Sequence, residues 1–520
     1  MTEKTAIPEP TASQIADRLK EGPASAAPDA FSQLCKQFDP AQVSAACAGR
    51  FWDEPARFWR LVGESPMLSV KPRQVKTIGL CYFRLGIGGA ERVVAFLANL
   101  WTDMGYRVVL FCDEDPTDED YEVPATVERV KLPLFLDANA ENYGGRAELL
   151  AAAIRSFDLD LMVYHQWLSH ALPWDMLTCK LLDVPLLLFT HGVYGCMYRW
   201  SNRWEMQLPI VAGYSGGVIA LDAADVRFWN EHCPRVWQTA NPVTLLPDES
   251  KVSPLEGETI VWVGRLDPTQ KQPAEALEIM RLVLQEVPTA KLLMVGPAPD
   301  QQVMDDLLST ADRLGVSDSV TFTGPKKDVS PYLESASVYL STSCLEGWYL
   351  SLAEGMARGL PAVAYELPYL TLLQGNCGCV QVPQGDRAGA AAALVGLIRS
   401  KEDRKRLGAA AFTAISEVAA FDYEGFWRGV FGEVEAGGMP PRDAVADTMW
   451  DIMLQANLHA SDARDNEVRA AHEARDGSAR SEQLAQQRIA ELEGSTTFRV
   501  GRAITVIPCK VKDIFRSRRG

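Results

Sequence analysis

The sequence predicts two α/β domains, each built on a parallel sheet with helices on both faces. Short, almost continuously apolar strands alternate with amphipathic helices from about residue 75 to residue 418, which is the pattern of buried parallel sheets. The alternation stops at a polar, proline-bearing stretch after residue 243 and then begins again. At 520 residues the chain is also too long for one ordinary core.

The composition is typical of a soluble globular protein. Hydrophobic residues make up 47% and charged residues 23%, and the net charge of -17 argues against nucleic acid as the main partner. No run of about 18 apolar residues occurs, and the first residues, MTEKTAIPEP, lack the pattern of a signal peptide. The eleven cysteines form no C-x-x-C pair. We therefore expect mostly reduced, buried thiols and a cytoplasmic protein.

Residues 1–70 are predicted to form a helical N-terminal extension. The segment TASQIADRLKEG begins with threonine and ends with glycine, as helices often do, and FWDEPARFWRLV places aromatic residues at helical spacing. We expect Phe51, Trp52, Phe58 and Trp59 to pack against the domain that follows.

Residues 71–243 form the predicted first domain, with strands VKTIGLCYF, YRVVLF, LDLMVYH, VPLLLFT, GGVIAL and RVWQT. In RLGIGGAERVV, Gly88 and Gly89 would let the backbone come close to a ligand at a helix N-terminus. His191 and His165 each end a buried strand, so both point to the same edge of the sheet. For His165, a site role and a core position remain equally open.

An acidic D-E-D follows the second strand, at Asp113 and Asp115. The charge run DEDPTDED continues it, which favours a solvated acidic loop over a metal site. No metal is expected to take part in the function.

Residues 244–418 form the predicted second domain. Its strands are TIVWVG, AKLLMVG, SVTFTG, SVYLST and LPAVAY, with helices at 273–287 and 301–314. Residues 419–440 add a closing helix, and residues 441–520 form a polar helical extension with a basic amphipathic tail. The pattern of the tail favours two interpretations equally. The tail binds an anionic membrane surface, or it is a basic helix that docks on the protein's own acidic body.

The stretch EGWYLSLAEG is the centre of the predicted site. It forms a strand-to-helix turn, with the helix at about 350–358, and such turns lie at the carboxyl edge where ligands bind. The helix N-terminus suits a diphosphate. Glu346 and Glu354 are eight residues apart, about 12 Å along a helix. That distance is on the scale of a nucleotide-sugar, so Glu354 could bind its ribose while Glu346 would lie beside the sugar at the other end. Upstream, Arg265 and Lys271 would neutralise a departing diphosphate.

Together these motifs resemble the signature of retaining, family 4 glycosyltransferases of the GT-B fold. EGWYLSLAEGMARGLP and VGRLDPTQK resemble the donor-binding motifs of that family, and GGAER and FTHG resemble motifs of its acceptor domain. The resemblance covers roughly residues 75–430. It implies two Rossmann-like, doubly wound domains facing each other across a cleft. It also implies a nucleotide-sugar as co-substrate, with no separate cofactor.

The resemblance implies catalytic roles for four residues. Arg265 and Lys271 would bind the pyrophosphate and steady its charge, and Glu346 would lie near the donor sugar. His191 would contact the transferred sugar or the acceptor. The implied step is a front-face displacement in which the departing phosphate helps to deprotonate the acceptor.

Six further residues would bind the donor: Glu354, Tyr349, Leu350, Gly88, Gly89 and Gly324. Glu354 would bind the ribose, and the backbone amides of Tyr349 and Leu350 would contact phosphate. Gly324 lies in TFTGPKKDV, which resembles the nucleobase-binding turn of the family. Many members have a small residue where this chain has Tyr349, so we expect a narrower approach to the donor sugar.

The predicted function is transfer of a sugar from a nucleotide-sugar to a glycan, glycolipid or glycosylated acceptor, as in polysaccharide or cell-envelope synthesis. The predicted location is the cytoplasm, with the inner face of the membrane as an extension of that hypothesis. Two alternatives stay open. One is a catalytically silent partner or glycan-binding subunit of the same fold, and the other is a nucleotide-sugar epimerase.

Overall fold

The described part of the chain covers most of both predicted domains. The computed structural model describes residues 10–86, 88–134, 137–195, 204–438, 448–450 and 452–456. All elements below belong to the first of two compact units, residues 1–450. Apart from 448–450 and 452–456, the extension predicted at 441–520, with its basic tail, lies outside the described residues.

In the N-terminal extension, the structure describes residues from 10 onward, and these form four α-helices: α1 (Ala12–Glu21), α2 (Ala27–Gln37), α3 (Pro40–Phe51) and α4 (Pro55–Val62). Their aromatic residues pack against the first domain, as predicted. Phe58 lies 5.2 Å from the Trp174 ring, Trp52 stacks on Trp174 at 6.4 Å, and Trp59 stacks on Tyr214 at 5.6 Å. The extension is therefore part of the first domain's packing.

Seven parallel strands form the first sheet, in the order β3-β2-β1-β4-β5-β6-β7. They are β1 (Thr77–Cys81), β2 (Arg107–Cys112), β3 (Glu128–Lys131), β4 (Leu161–Tyr164), β5 (Leu186–Phe189), β6 (Gly217–Ala220) and β7 (Val236–Gln238). The helices are α5 (Gly89–Asp103), α6 (Tyr143–Phe157), α7 (Leu172–Leu181), α8 (Leu208–Ala212) and α9 (Ala223–Asn230). The edge strand β3 was not predicted, because its residues are mostly exposed.

Six parallel strands form the second sheet, in the order β10-β9-β8-β11-β12-β13. They are β8 (Thr259–Val263), β9 (Lys291–Val295), β10 (Val320–Phe322), β11 (Val338–Ser341), β12 (Ala362–Tyr365) and β13 (Cys379–Val382). The helices are α10 (Pro273–Glu286), α11 (Gln301–Leu314), α12 (Ser330–Glu334), α13 (Leu350–Met356), α14 (Arg387–Arg399) and α15 (Lys401–Ala419). Two parallel, doubly wound sheets confirm the predicted fold class.

Helix α13 is shorter than predicted. It ends at Met356 rather than near residue 358, and Gly359 follows in a turn at φ +67°. The Gly359 N–H donates to the Met356 carbonyl at 2.9 Å. The Leu360 N–H also donates to the Gly355 carbonyl at 3.1 Å, so Gly359 caps the end of the helix in a Schellman motif.

Helix α16 (Tyr423–Ala436) returns to the first domain. Its Trp427 meets Trp101 of α5 edge to face at 4.8 Å, and the Glu435 carboxylate accepts the Val75 N–H at 2.8 Å. An apolar core runs from the first sheet through the second domain to α16. The two sheets thus share one core across the cleft.

The predicted solvated loop at Asp113 is wrong. Asp113 is 8% exposed and forms an ion pair with the fully buried Arg146, which also lies 3.0 Å from Asp175. Burial raises the pKa of Asp113, and the Arg146 charge opposes that rise. Asp115 is exposed, as expected. Asp113 therefore belongs to a buried structural ion pair, which holds the end of β2 against α6 and α7.

The described residues carry nine cysteines, all of them free thiols, and six of these are buried. None of the helices in the described ranges has the length and apolar character needed to cross a membrane.

Candidate active site

A cavity of about 460 Å³ lies between the carboxyl ends of the two sheets, with walls from both domains. This volume is within the usual range for small-molecule sites. Nine of the ten predicted site residues line it: Gly88, Gly89, His191, Arg265, Lys271, Glu346, Tyr349, Leu350 and Glu354. The exception is Gly324, at φ +70°, whose carbonyl accepts the N–H of the lining residue Gly296 at 3.1 Å. Gly324 therefore sits behind the wall.

Glu346 is a buried carboxylate paired with Lys271. Glu346 is 5% exposed, and its Oε1 atom lies 2.5 Å from Lys271 Nζ. The same Nζ atom lies 5.0 Å from the centre of the Tyr349 ring. The Tyr369 hydroxyl accepts the Glu346 N–H at 2.9 Å and donates to the Glu346 carbonyl at 3.1 Å. Tyr369 was not predicted, because nothing in the local sequence links it to a loop 23 residues upstream. It fixes the backbone of that loop.

Glu354 is paired across the cleft with Arg92 of the first domain. Thr244, in the segment that joins the domains, accepts from Arg92 Nη1 at 2.9 Å and donates to Glu354 Oε1 at 3.2 Å. In the sequence, Arg92 is only the last residue of the GGAER motif, and no role was predicted for it. Its position in the first turn of α5, beside the glycines of the cleft, is the signal that could have identified it.

Arg265 presents its charge to the cavity. It follows β8, its side chain is 66% exposed, and its nearest carboxylate oxygen, on Asp267, is 3.9 Å away. A guanidinium with so weak a partner remains available to an anionic ligand, whereas Lys271 is already engaged by Glu346.

Tyr349 occupies an unusual backbone position at the start of α13. Its φ of +81° and ψ of 52° are left-handed, a conformation that glycine adopts with least strain. The side chain is 3% exposed, and burial raises the pKa of its phenol. Next to it, a Cβ on Gly89 would lie 2.9 Å from Leu350 Cδ1, so the two domains approach closely here.

Gly88 makes room for a carboxyl group at the start of α5. A Cβ on Gly88 would overlap the carboxylate of Glu91, which lines the cavity and is 7% exposed. Burial raises the pKa of Glu91. A carboxyl group already lies at the amino end of α5, so this wall suits sugar hydroxyls better than phosphate.

His191 is held by His165. The His191 Nε2 and His165 Nδ1 atoms share a hydrogen bond of 2.8 Å, and both rings stack on Phe189. Burial lowers the pKa of His191 to about 3 and that of His165 well below its ordinary value. Both imidazoles are therefore neutral at physiological pH. His165, 1% exposed, lies behind His191 and does not line the cavity.

We compared the sequence with known protein families. Residues 87–237 match the family described as Glycosyltransferase Family 4, and residues 257–400 match Glycosyl transferases group 1. Between them the two matches cover more than half of the chain and both walls of the cavity. The chain belongs to the family 4 glycosyltransferases.

Individual relatives of this glycosyltransferase agree with that assignment. An uncharacterized glycosyltransferase of Haemophilus influenzae is 28% identical over 301 residues, 56% of this chain and 81% of that protein. A phosphatidyl-myo-inositol mannosyltransferase of Mycobacterium leprae is 32% identical over 167 residues, 31% of this chain and 43% of that protein. The second match therefore spans less than half of that relative.

Solved structures share the fold. Alr3699/HepE of Anabaena, in complex with UDP and glucose, superposes with a TM-score of 0.56 at 17% identity, covering 70% of this chain and all of that one. At 17% identity, the similarity shows a shared fold and nothing further. The predicted GT-B architecture is confirmed.

Proposed function

We propose that this glycosyltransferase moves a hexosyl group from a nucleoside diphosphate sugar to a hydroxyl of a glycan, glycolipid or glycosylated acceptor, with retention of the anomeric configuration. One observation carries the proposal. Arg265 and Lys271 face the same inter-domain cavity as the buried Glu346 and Glu354, opposite the glycine loop of the first domain. Basic groups for a diphosphate and carboxylates for sugar hydroxyls thereby line the same cavity.

The donor's diphosphate would bind to Arg265, Lys271 and the backbone amides of Tyr349 and Leu350. Glu354 would bind the ribose. Its hydrogen bonds from Arg92 and Thr244 both go to Oε1, which leaves Oε2 for a ribose hydroxyl. Arg92 would then hold the ribose-binding carboxylate in place from the other domain.

In the proposed step, the bond between the anomeric carbon and the phosphate oxygen breaks while the acceptor oxygen bonds to the same carbon from the same face. The acceptor's proton goes to the departing phosphate oxygen. Lys271 and Arg265 stabilise the negative charge that develops there. Glu346 fixes the Lys271 ammonium at 2.5 Å and borders the donor sugar. His191, being neutral, contributes hydrogen bonding rather than charge.

The relatives support the donor and acceptor classes by likeness. Alr3699/HepE was solved with UDP and glucose, and the mycobacterial relative is named for mannosyl transfer to phosphatidyl-myo-inositol. As part of the proposal, we extend the nucleotide-sugar donor class and the glycolipid acceptor class to this chain. The proposal also includes a cytoplasmic location and a reaction that needs no metal.

The test is product analysis with the purified full-length chain, a panel of nucleotide-sugars and both lipid and glycan acceptors. We expect a glycoside whose anomeric coupling constant matches the donor's configuration, and about 10²- to 10³-fold slower product formation by the Lys271→Met variant. An inverted glycoside would contradict retention. An altered free nucleotide-sugar without glycoside would indicate an epimerase. A lack of both hydrolysis and transfer across the panel would favour a silent partner or glycan-binding subunit.

A further inference from the structure

A second cavity, of about 550 Å³, lies at the opposite end of the first sheet. Four of its lining residues immediately precede the parallel strands β4, β5, β6 and β7: Asp160, Pro185, Gly216 and Arg235. It therefore opens at the amino edge of the sheet, whereas the proposed active site lies at the carboxyl edge. The two cavities have no lining residue in common.

Three parts of the chain meet around this second cavity. They are the segment 63–73 after α4, the amino edge of the first sheet, and the end of α16. Arg235 links two of them, because its Nη2 donates to the carbonyls of Gly437 at 3.3 Å and Gly438 at 2.9 Å. A ligand bound here would touch the helix that returns from the second domain.

The second cavity has an excess of positive charge. Its charged lining residues are Lys71, Arg73, Lys180, Arg235, Glu64 and Asp160. The Asp160 carboxylate is already neutralised by Arg73 and accepts the backbone N–H groups of Lys76 at 2.9 Å and Thr77 at 2.8 Å. Glu64 is exposed to solvent. The carboxylates therefore do not balance the remaining cations.

Lys180 and Arg235 are the half-buried cations of this cavity that form no ion pair, whereas Lys71 is exposed to solvent. Both are half-buried, and among the described residues neither has a carboxylate within ion-pair distance. Burial lowers the pKa of Lys180 to about 8, against the opposing charge of Glu64. Holding partly desolvated positive charge without a counter-ion is costly, and an anion from solution would remove that cost.

We propose that this second cavity binds a phosphoryl group, carried by a small soluble phosphate ester or by a lipid headgroup, between Lys180 and Arg235. The planar guanidinium and the compact ammonium are the two side chains that pair best with phosphate oxygens. The volume accommodates a phosphorylated metabolite. The site is additional to the donor site and does not depend on the proposed transfer reaction.

The direct test measures how fast an amine-reactive reagent acylates Lys180 in the full-length protein, by mass spectrometry, in phosphate and in sodium chloride of equal ionic strength. We expect phosphate to slow acylation of Lys180 by about tenfold or more, since charge-assisted hydrogen bonds are worth that much. Lys405, exposed on α15, is the reference for reagent reactivity and should be unaffected. Equal Lys180 rates in the two salts would overturn the proposal.

Two variants separate this site from the proposed active site. Lys271→Met should leave the protection of Lys180 intact, and loss of protection in that variant would assign the effect to the other cavity and overturn the proposal. Arg235→Gln should abolish the protection, with its melting temperature in chloride checking the fold. Full protection in a folded Arg235→Gln protein would also contradict the proposal. Lys180→Gln should not alter the transfer rate measured without phosphate.

A last comparison identifies the source of the phosphoryl group. Glycerol 3-phosphate in solution and vesicles containing phosphatidic acid are each tested for protection of Lys180. Protection by the soluble ester alone assigns the site to a metabolite, and stronger protection by vesicles assigns it to a lipid headgroup. Protection by neither, when inorganic phosphate also fails, overturns the proposal.

Discussion

Glu346 and Glu354 are both buried carboxylates, and each is neutralised by a different part of the chain. Lys271 of the same domain pairs with Glu346, and Arg92 of the other domain pairs with Glu354. A buried carboxylate without a partner costs several kcal/mol, so both cations are needed in the absence of donor. The sequence predicted both glutamates as site residues, but it predicted Lys271 only as a diphosphate ligand and gave Arg92 no role.

The Lys271–Glu346 ion pair should behave as one catalytic unit. We expect Lys271→Met and Glu346→Gln each to lower kcat by about 10²- to 10³-fold, the usual effect of removing a group that stabilises transition-state charge. Because neither residue works without the other, the double variant should be no slower than the slower single variant. The measurement is steady-state transfer kinetics, with circular dichroism as the check on folding. Multiplied effects in the double variant would show that the residues act separately.

The neutral histidine pair should make stability depend on pH. In the unfolded chain a histidine has a pKa near 6.5, whereas burial lowers the pKa of His191 to about 3 and that of His165 well below its ordinary value. The unfolded state therefore binds more protons below pH 6.5. The stability is fully present above that pH and falls as the pH drops, by about 1.4 kcal/mol per pH unit for each imidazole.

His165→Phe removes one of the two titrating groups while keeping a ring against Phe189. We expect the wild-type free energy of unfolding, measured by urea titration between pH 5 and 8, to fall more steeply below pH 6.5 than that of the variant. The comparison uses the change in the free energy of unfolding with pH. A loss of packing in the variant lowers that free energy equally at every pH, so it does not affect the comparison. Identical slopes would contradict the neutral pair.

At the scale of elements, the turn between β11 and α13 brings the two domains into contact. A Cβ on Gly347 would overlap the carbonyl oxygen of His191, so only glycine allows this approach. Tyr349, two residues on, adopts φ +81°, which is strained for a residue with a side chain. Strain of this kind persists only where packing enforces it, and here the Lys271 ammonium lies over the Tyr349 ring.

Gly347→Ala should hold the domains apart at this point. We expect transfer to fall by about tenfold or more, because a misplacement of about 1 Å at a reacting centre commonly costs that much. Gly396→Ala is the matched control, since Gly396 lies exposed in α14 with open space around its Cα, and it should leave activity unchanged. Normal turnover by Gly347→Ala would show that the close approach is not needed for catalysis.

The sequence predicted the central strands and the edge strands β7 and β10, but it missed the edge strands β3 and β13. A central strand such as Leu186–Phe189 is apolar on both faces, so its composition reveals it. The edge strand Glu128–Lys131 pairs on one side only and keeps polar, exposed residues, so it looks like a loop. Asp113 was misassigned because its partner Arg146 lies 33 residues away, and no local pattern links them.

The site residues were also predictable only in part. Glycines, carboxylates and basic residues at strand ends were predictable, because parallel strands bring their carboxyl ends to one edge. Long-range contacts were not, since Arg92 and Tyr369 contact Glu354 and Glu346, from which they are distant in sequence. The neutral state of His191 also required the structure, because it results from burial beside His165.

At the scale of the whole molecule, the cavity depends on ties between the two domains. The Thr371 hydroxyl donates to Asp222 at 2.8 Å, and Lys327 Nζ donates to the Asp118 carbonyl at 2.9 Å. Helix α16 adds an apolar tie, since its Trp427 is 1% exposed against the first domain. The relative position of the two walls is therefore set by the core as well as by the site.

Trp427→Ala should weaken the tie made by α16. We expect a loss of about 3–5 kcal/mol in the free energy of unfolding, the usual cost of truncating a buried aromatic residue. Phe426→Ala, at a neighbouring and only partly buried position of the same helix, is the control and should cost clearly less. Urea titration measures both. Equal losses would show that α16 is not anchored through Trp427.

The central claim is that the cleft binds the diphosphate of a nucleotide-sugar through Arg265. The most direct test is calorimetric titration of the full-length protein with a panel of nucleoside diphosphates, comparing wild type with Arg265→Ala and with Arg406→Ala, a variant of an exposed arginine on α15. We predict that one nucleotide binds, that Arg265→Ala weakens its binding by about tenfold or more, and that Arg406→Ala has no effect. Equal affinity in wild type and Arg265→Ala, or no binding by any nucleotide of the panel, would contradict the account.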